Sequence, residues 1–297
     1  MSLRPLTLLC TLLLACAPEP AASSSTPKEA ATVPTTGVQP TTSDLPPKQC
    51  GLAAGPHERT ITVGEATRVY LVEVGAELAA RPPVVFAWHG FGSRAENSLE
   101  AMKTETLWTD AVVVAPRGMP RTFDQFGDTP RPGWQVAAGE LDDRDLLFFD
   151  AMLAELESLG CVDASRVYST GFSNGGFFSN VLACHRADAL AAAAPTGGGG
   201  PFVKPCGRKI PVLITHGRAD KVVPYASAHK TYQSWVAHNA CAEGPGTVSP
   251  DAEEGCVVAA GCAEESPVRM CSYDIGHQWP QGQSERVAGF LRQFSNP

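Results

Sequence analysis

The segment 171–176, with the sequence GFSNGG, places a serine between closely spaced glycines. It matches the pattern G-x-S-x-G and lies between a strand-like segment and a helix-like one. A turn this tight leaves no room for Cβ atoms beside the serine, and it holds the serine Oγ clear of a sheet. The helix N-terminus behind it favours developing negative charge. The pattern predicts that Ser173 is a nucleophile; the alternative is a chance match in a glycine-rich loop.

A serine hydroxyl is a weak nucleophile and needs a base that accepts its proton. Proteins with such a turn carry the partners in the order serine, acid, histidine, each partner on a loop after a strand. His277 follows the last predicted strand and is assigned as the base, whereas the other histidines precede the serine, lie in predicted helices or end a strand. Asp220 follows the penultimate strand and is assigned as the acid that orients the imidazole. The alternatives are a surface-loop histidine and an aspartate that caps a turn.

An oxyanion formed at Ser173 would need two N–H donors. The backbone N–H of Asn174, the residue after the nucleophile, is the first candidate. The second comes from the loop after an early strand, where the N–H of Phe91 and that of Gly90 are equally good candidates. His89 in the same loop is interpreted as a structural residue rather than as an acid or base.

Three tryptophans, Trp88, Trp134 and Trp279, are candidate substrate-binding residues at the mouth of the site. Such a mouth suits sugars or aromatic groups, but buried packing is the commoner role of tryptophan. The segment 116–139, with four prolines and few aliphatic residues, is expected to rim the pocket and to influence specificity.

Strand-like and helix-like segments alternate along the chain, which predicts an α/β fold with three layers and a mostly parallel central sheet. Short apolar runs are typical of strands that are buried on both faces. The predicted strands are 60–63, 68–74, 84–88, 111–115, 166–170, 190–194, 210–215, 256–259 and 268–273. The predicted helices are 142–159, 174–184, 227–238 and 284–294.

The N-terminus resembles an export signal. A basic residue and an apolar run precede Ala15-Cys16, and the run is too short to span a bilayer. The ending LLAC resembles a bacterial lipobox, so residues 1–16 are predicted to be a lipoprotein signal with Cys16 as the lipidation site. Cleavage elsewhere, with Cys16 removed or free, is the alternative. Residues 17–48 are predicted to be a disordered Ala/Pro/Ser/Thr tether, and 49–297 the catalytic domain.

The composition restricts the partners. A net charge of −8, with no cluster of basic residues, argues against nucleic acid. Eight cysteines remain beyond the signal, and an even number in an exported chain predicts four disulfides of open connectivity. Metal binding is the weaker reading, because the chain has no C-x-x-C pair and no histidine at zinc-ligand spacing. The eight are Cys50, Cys161, Cys184, Cys206, Cys241, Cys256, Cys262 and Cys271.

Four motifs in this order resemble those of bacterial polyhydroxybutyrate depolymerases and feruloyl esterases, which are secreted esterases. They are AWHG (87–90), RVYSTGFSNGG (166–176), HGRADKVVPY (216–225) and GHQWP (276–280). The resemblance covers about residues 50–297. It implies an α/β-hydrolase fold and ester hydrolysis through an acyl-serine intermediate without metal or organic cofactor. It also implies a Cys184–Cys206 disulfide and a place for Trp279 beside the site.

Two departures concern the pocket and the surface: the glycine-rich run before His277 is reduced to two residues, 275–276, and 242–267 forms a cysteine- and acid-rich insertion, expected to be a disulfide-tied loop. The predicted substrate is a small or oligomeric ester, and the predicted location is the cell envelope or the extracellular space, with a lipid anchor as the only membrane contact. The alternatives are a serine peptidase of the same fold and a non-catalytic surface-binding lipoprotein.

Overall fold

The computed structural model describes residues 49–201, 205–242, 248–250 and 255–296; for 248–250 only the backbone is described. The predicted signal (1–16), its Cys16 and the tether (17–48) lie outside the described residues. Among the described residues, no helix is both long and apolar enough to cross a membrane.

The described secondary structure comprises twelve strands, six α-helices and three short 3₁₀-helices. The strands are β1 (Gly55–Val63), β2 (Ala66–Val74), β3 (Val84–Trp88), β4 (Val112–Pro116), β5 (Met119–Arg121), β6 (Arg131–Gly133), β7 (Val167–Phe172), β8 (Ala192–Thr196), β9 (Val212–Gly217), β10 (Val248–Pro250), β11 (Cys256–Ala259) and β12 (Val268–Tyr273). The helices are α1 (Ala95–Met102), α2 (Thr104–Leu107), α3 (Arg144–Ser158), α4 (Asn174–His185), α5 (Tyr225–His238) and α6 (Gln283–Leu291).

Ten of these strands form one sheet in the order β1-β2-β4-β3-β7-β8-β9-β12-β11-β10. The six strands from β4 to β12 in this order run parallel, and the flanking strands at both edges pair antiparallel. The central strands β3, β4, β8 and β9 are buried along their whole length, because helices cover both faces. The predicted mostly parallel sheet is therefore confirmed.

Two apolar cores lie on opposite faces of this sheet. Phe86 of β3 packs with Phe149 of α3 and Phe178 of α4 on one face. The neighbouring Val85 packs with Met102 of α1 and, through the same core, with residues of α6 on the other face. Adjacent strand residues thus point into different cores, which produces the predicted three layers.

The structure differs from the predicted elements at several points. The predicted helix 142–159 begins at Arg144, because residues 141–143 have φ near 54°, a conformation that a helix cannot contain. Helix α1 and the hairpin of β5 and β6 were not predicted. Strands β7, β8 and β9 each extend two residues further at the carboxyl end than predicted, since pairs such as Phe172 with Thr196 continue the ladder.

All eight described cysteines are paired, as predicted. The disulfides are Cys50–Cys161, Cys184–Cys206, Cys241–Cys262 and Cys256–Cys271. The second pair is the one that the motif resemblance implied. The last two tie the insertion 242–267, which also contributes β10 and β11 to the edge of the sheet.

Candidate active site

The residues with catalytic chemistry lie together at the carboxyl ends of the parallel strands. Parallel strands end at the same edge, so the loops that follow them meet there. Ser173 follows β7, Asp220 lies three residues beyond β9, and His277 lies four residues beyond β12. The loop that starts at His89 follows β3, which pairs with β7 and so brings the loop beside Ser173.

The turn around Ser173 is strained, and its glycines are required by close backbone contacts. Ser173 has φ 56° and ψ −119°, which is unfavourable for a residue with a side chain. A Cβ at Gly175 would lie 2.0 Å from the Trp88 carbonyl oxygen, and one at Gly171 would lie 2.5 Å from the Gly175 carbonyl oxygen. The turn is held in place by the N–H of Ser173, which donates to the Thr196 carbonyl at 2.9 Å.

A continuous chain of hydrogen bonds joins the three residues. The Ser173 hydroxyl lies 2.8 Å from His277 Nε2, and His277 Nδ1 lies 2.6 Å from Asp220 Oδ2. The carboxylate accepts a hydrogen bond from Nδ1–H, so the proton of the neutral ring is on Nδ1 and Nε2 presents a lone pair to the serine hydroxyl. The structure therefore brings together Ser173, Asp220 and His277 in the geometry that activates a serine.

The Asp220 carboxylate is held from both sides. Its side chain is 1% exposed, and its Oδ1 accepts the backbone N–H groups of Val222 and Val223, each at 2.9 Å. These donors compensate for burial of the charged group. They also fix the carboxylate so that Oδ2 faces His277.

A second histidine, His216, also contacts this carboxylate. Its Nε2 donates to the Val223 carbonyl at 2.9 Å and lies 3.3 Å from Asp220 Oδ2. Burial lowers the pKa of His216, so the ring stays neutral and leaves the negative charge of Asp220 to His277. The ring Nδ1 of His216 has no hydrogen-bond partner among the described residues. His216 is buried and does not compete with His277 as the base.

His89 has the structural role predicted for it. Its Nε2 accepts the Gly118 backbone N–H at 3.0 Å, so the proton is on Nδ1, which donates to the Gly90 carbonyl at 2.8 Å. Burial lowers the pKa of His89, which keeps the ring neutral.

A cavity of about 420 Å³ opens beside Ser173. Phenylalanine rings, Val222 and Pro224 contribute to its apolar lining. The segment 116–139 contributes five lining residues, which confirms the prediction that it rims the pocket. The lining residues are Phe91, Phe123, Asp124, Gln125, Phe126, Val136, Ser173, Asn174, Phe177, Val222, Val223, Pro224 and Ser227.

The residues predicted to supply the oxyanion hole lie around Ser173. Phe91 and Asn174 line the same cavity as the serine, whereas Gly90 lines a smaller neighbouring cavity. Among the described residues no group accepts a hydrogen bond from the backbone N–H of Phe91 or Asn174. These N–H groups, and likewise that of Gly90, are therefore available to a reacting oxygen.

Two of the three predicted tryptophan positions need correction. Trp88 and Trp134 are 1% and 0% exposed, so they do not form a mouth. Their indole N–H groups are satisfied inside the core by Ser169 Oγ at 3.1 Å and the His89 carbonyl at 2.9 Å, which removes the need for a polar surface. Trp279 is half-buried and lines the smaller cavity beside Phe172.

The apolar wall of the cavity was only partly accessible from sequence. Phe123 and Phe126 pack on Phe91 with ring centroids 5.0 and 5.3 Å apart. Both lie inside the segment predicted to rim the pocket, but no periodicity pointed to them individually. Val222 belongs to the HGRADKVVPY motif and is 41% exposed. This exposure of an apolar side chain close to Asp220 marks Val222 as a lining residue, and it is visible only in the structure.

Residues 129–243 match the sequence model of the dienelactone hydrolase family. Feruloyl esterase B of Piromyces equi is 30% identical over 186 residues, which are 55% of this chain and 34% of that protein. Probable feruloyl esterase C of Aspergillus niger is 31% identical over 195 residues, which are 64% of this chain and 61% of that protein. The matches thus span between one third and three fifths of the length of these relatives.

Solved structures share the fold at low identity. Acetyl xylan esterase from Aspergillus awamori superposes with a TM-score of 0.59 at 15% identity, covering 79% of this chain and 99% of that one. The Bacillus cereus carboxylesterase gives a TM-score of 0.52 at 20% identity, with 76% and 94% coverage. The chain has the α/β-hydrolase fold and is homologous to feruloyl esterases, which confirms the resemblance to feruloyl esterases that its motifs predicted.

Proposed function

We propose that this protein is an exported serine carboxylic ester hydrolase, similar to feruloyl esterases and polyhydroxybutyrate depolymerases, that acts through an acyl-serine intermediate. The hydrogen-bond chain from Ser173 through His277 to Asp220 is the observation that carries the proposal. The homology of the protein to feruloyl esterases supports an ester as the bond that is cleaved.

In the first half of the reaction, Ser173 Oγ attacks the ester carbonyl carbon while His277 Nε2 takes the hydroxyl proton. The carbonyl oxygen becomes an oxyanion that the N–H groups of Asn174 and Phe91 stabilise. Asp220 stabilises the imidazolium. His277 then gives its proton to the leaving alkoxide, the C–O bond breaks, and the alcohol departs from an acyl-Ser173 ester.

In the second half, a water molecule takes the place of the alcohol. His277 Nε2 accepts one of its protons as the hydroxide adds to the acyl carbon. Collapse of this second tetrahedral intermediate breaks the bond to Ser173 Oγ, which takes the proton back from His277. The products are a carboxylic acid and the regenerated enzyme, so atoms and protons balance without an external redox partner.

The cavity favours an apolar substituent next to the ester. Four phenylalanines, Phe91, Phe123, Phe126 and Phe177, line it together with Val222 and Pro224. Apolar area removed from water contributes roughly 25 cal/mol per Å². A hydroxyalkanoate or an aromatic acyl group would bury most of its surface there, whereas a strongly charged group would lose hydration.

The test is hydrolysis of p-nitrophenyl acetate, p-nitrophenyl butyrate and methyl ferulate by the purified protein and by Ser173→Ala. The proposal predicts turnover by the wild type and loss to background in the variant, with unchanged thermal unfolding. Ser169→Ala is a control, because the Oγ of that buried serine accepts from the Trp88 indole and donates to Ser179 Oγ. Turnover that survives Ser173→Ala, or peptide rather than ester cleavage by the wild type, would contradict the proposal.

The four disulfides support export, because such bonds persist in oxidising compartments. A lipid anchor at Cys16 is the finer part of this proposal. Expression of the full chain in a bacterial host, followed by detergent partitioning, tests it: Cys16→Ser is expected to move the protein from the detergent phase to the aqueous phase. Equal partitioning of the two proteins would contradict the anchor.

A further inference from the structure

The residues 119–133, which we call the flap, form a hairpin that starts with β5 and ends with β6. The flap stands apart from the central sheet as a separate two-stranded sheet. Its tip carries Phe123 and Phe126, which line the cavity beside Ser173. The flap therefore supplies part of the apolar lining of the cavity beside Ser173.

The side chain of Asn174 fastens the base of the flap to the turn that carries the nucleophile. Its Oδ1 accepts the Trp134 backbone N–H at 2.7 Å, and its Nδ2 donates to the Trp134 carbonyl at 2.9 Å. Asn174 is 3% exposed and Trp134 is fully buried, so water does not compete for this pair of bonds. The same residue offers its own backbone N–H to the reacting oxygen.

The other half of the oxyanion hole is tied to the flap base by His89. Its ring accepts the N–H of Gly118, just before β5, and its carbonyl accepts the indole N–H of Trp134, just after β6. His89 is followed by Gly90 and Phe91, whose backbone supplies the second donor. Both proposed donors of the oxyanion hole thus belong to, or lie next to, residues that bind the ends of the flap, namely Asn174 and His89.

The tip of the flap is connected to the same point. The Arg121 guanidinium lies 3.7 Å from the centroid of the Phe123 ring and donates to the Trp134 carbonyl at 2.5 Å, the oxygen that Asn174 also binds. The phenylalanines at the tip also pack directly on Phe91. A displacement of the tip therefore has two physical routes to the oxyanion donors.

Building on the proposed esterase function, we infer that the Asn174 side chain is a positioning residue that holds the flap in register with the oxyanion hole. An acyl group seated against the flap then has its carbonyl oxygen directed at both donors. Selectivity for larger acyl groups and the rate of the chemical step are therefore coupled through this one amide. A purely structural asparagine would stabilise the fold and leave selectivity unchanged.

Two variants break the contact from opposite sides. Asn174→Ala removes the amide and keeps the backbone N–H. Gly133→Ala places a Cβ 2.9 Å from Asn174 Oδ1, which displaces the amide from the flap side. Phe126→Ala removes part of the tip and keeps the contact. Asn296→Ala is the matched control, because its amide also donates to a backbone carbonyl, that of Asp188, outside the site.

The first measurement compares kcat and KM for p-nitrophenyl butyrate and acetate, which share a leaving group. Two methylenes seated on the flap give the wild type about a tenfold preference in kcat/KM for butyrate. We expect both Asn174→Ala and Gly133→Ala to reduce that preference to below about threefold and to lower kcat on acetate by about tenfold or more. Phe126→Ala reduces the preference as well, and Asn296→Ala retains it. A uniform loss for both esters, or a preference that survives Phe126→Ala, would overturn the inference.

Hydrogen exchange of the flap provides a readout that does not depend on turnover. Asn174→Ala is expected to speed amide exchange in peptides covering residues 119–134 by about tenfold or more, with Asn296→Ala unchanged. Unaltered exchange would overturn the inference. If the wild type hydrolyses neither ester, the proposed function fails, while the exchange result still decides whether Asn174 fastens the flap.

Discussion

Replacing Asp220 with asparagine changes a single atom type at a position where the hydrogen bonds leave only one orientation. Oδ1 accepts two backbone N–H groups, those of Val222 and Val223, so the amide oxygen of the variant must take that place. The amide NH₂ then occupies the position of Oδ2 and faces His277 Nδ1 and His216 Nε2. The opposite orientation would set NH₂ against two N–H donors.

The consequence for His277 is a change of tautomer. Nδ1 must accept from the new NH₂, so the ring proton moves to Nε2, which then cannot accept the Ser173 hydroxyl proton. A wrong tautomer of this kind costs a factor of about 10⁴ in kcat, or about 5 kcal/mol of barrier. The NH₂ also points at the N–H of His216, and an unsatisfied buried donor lowers the free energy of unfolding by about 1 to 3 kcal/mol.

The assay is kcat for p-nitrophenyl butyrate together with urea unfolding of Asp220→Asn. Asp274→Asn is the matched control: Asp274 belongs to the same loop as His277, but its side chain is 87% exposed and its ion-pair partner among the described residues is Arg218. An exposed pair contributes little, so the control is expected to retain activity within a factor of two. An Asp220→Asn variant with more than a tenth of wild-type activity would refute the reasoning on tautomers.

Three further predictions concern stability. Gly175→Ala should lower the free energy of unfolding in urea by about 3 kcal/mol or more, since its Cβ would lie 2.0 Å from the Trp88 carbonyl oxygen. Gly289→Ala in α6, where the space around the glycine is open, should raise that free energy by up to about 1 kcal/mol. Equal effects of the two substitutions would contradict the packing argument. Removing the disulfide Cys50–Cys161, whose cysteines are 111 residues apart, should lower the free energy of unfolding by about 4 to 5 kcal/mol. Removing Cys241–Cys262, whose cysteines are 21 residues apart, should lower it by about 3 kcal/mol. The reverse order in calorimetry would count against the loop-entropy argument. Burial lowers the pKa of His89 and of His216, so below about pH 6.5 the unfolded chain binds more protons than the folded protein. The melting temperature should therefore stay constant above that pH and fall below it, and the fall should be shallower in His216→Gln. An identical slope in the variant and the wild type would contradict the assignment.

The placement of the three central residues was predictable because it depends on topology. Once alternating strands and helices predict a parallel sheet, every strand ends at the same edge, and Ser173, Asp220 and His277 each follow one such end. The strand ends themselves were too short by two residues in β7, β8 and β9. Pairing with a neighbouring strand, which no local pattern encodes, decides where a ladder stops.

The substrate side of the site was less accessible to sequence. Trp88 and Trp134 were expected at the mouth, but partners such as Ser169 Oγ satisfy their indole groups and allow full burial. The two strands of the flap are three residues long and contain prolines, so the segment lacks the alternation of a recognisable hairpin. The two bonds of Asn174 to Trp134 join residues 40 positions apart, a contact that only the folded chain reveals.

Covalent labelling of the nucleophile tests the central claim most directly. Diethyl p-nitrophenyl phosphate reacts with an activated serine, whose Oγ displaces p-nitrophenolate and retains the diethyl phosphoryl group. We expect one label per protein, carried by the peptide that contains Ser173, with loss of ester hydrolysis in proportion and no label in Ser173→Ala. A protein that hydrolyses esters yet stays unlabelled at Ser173, or that is labelled and inactivated at another residue, would contradict it.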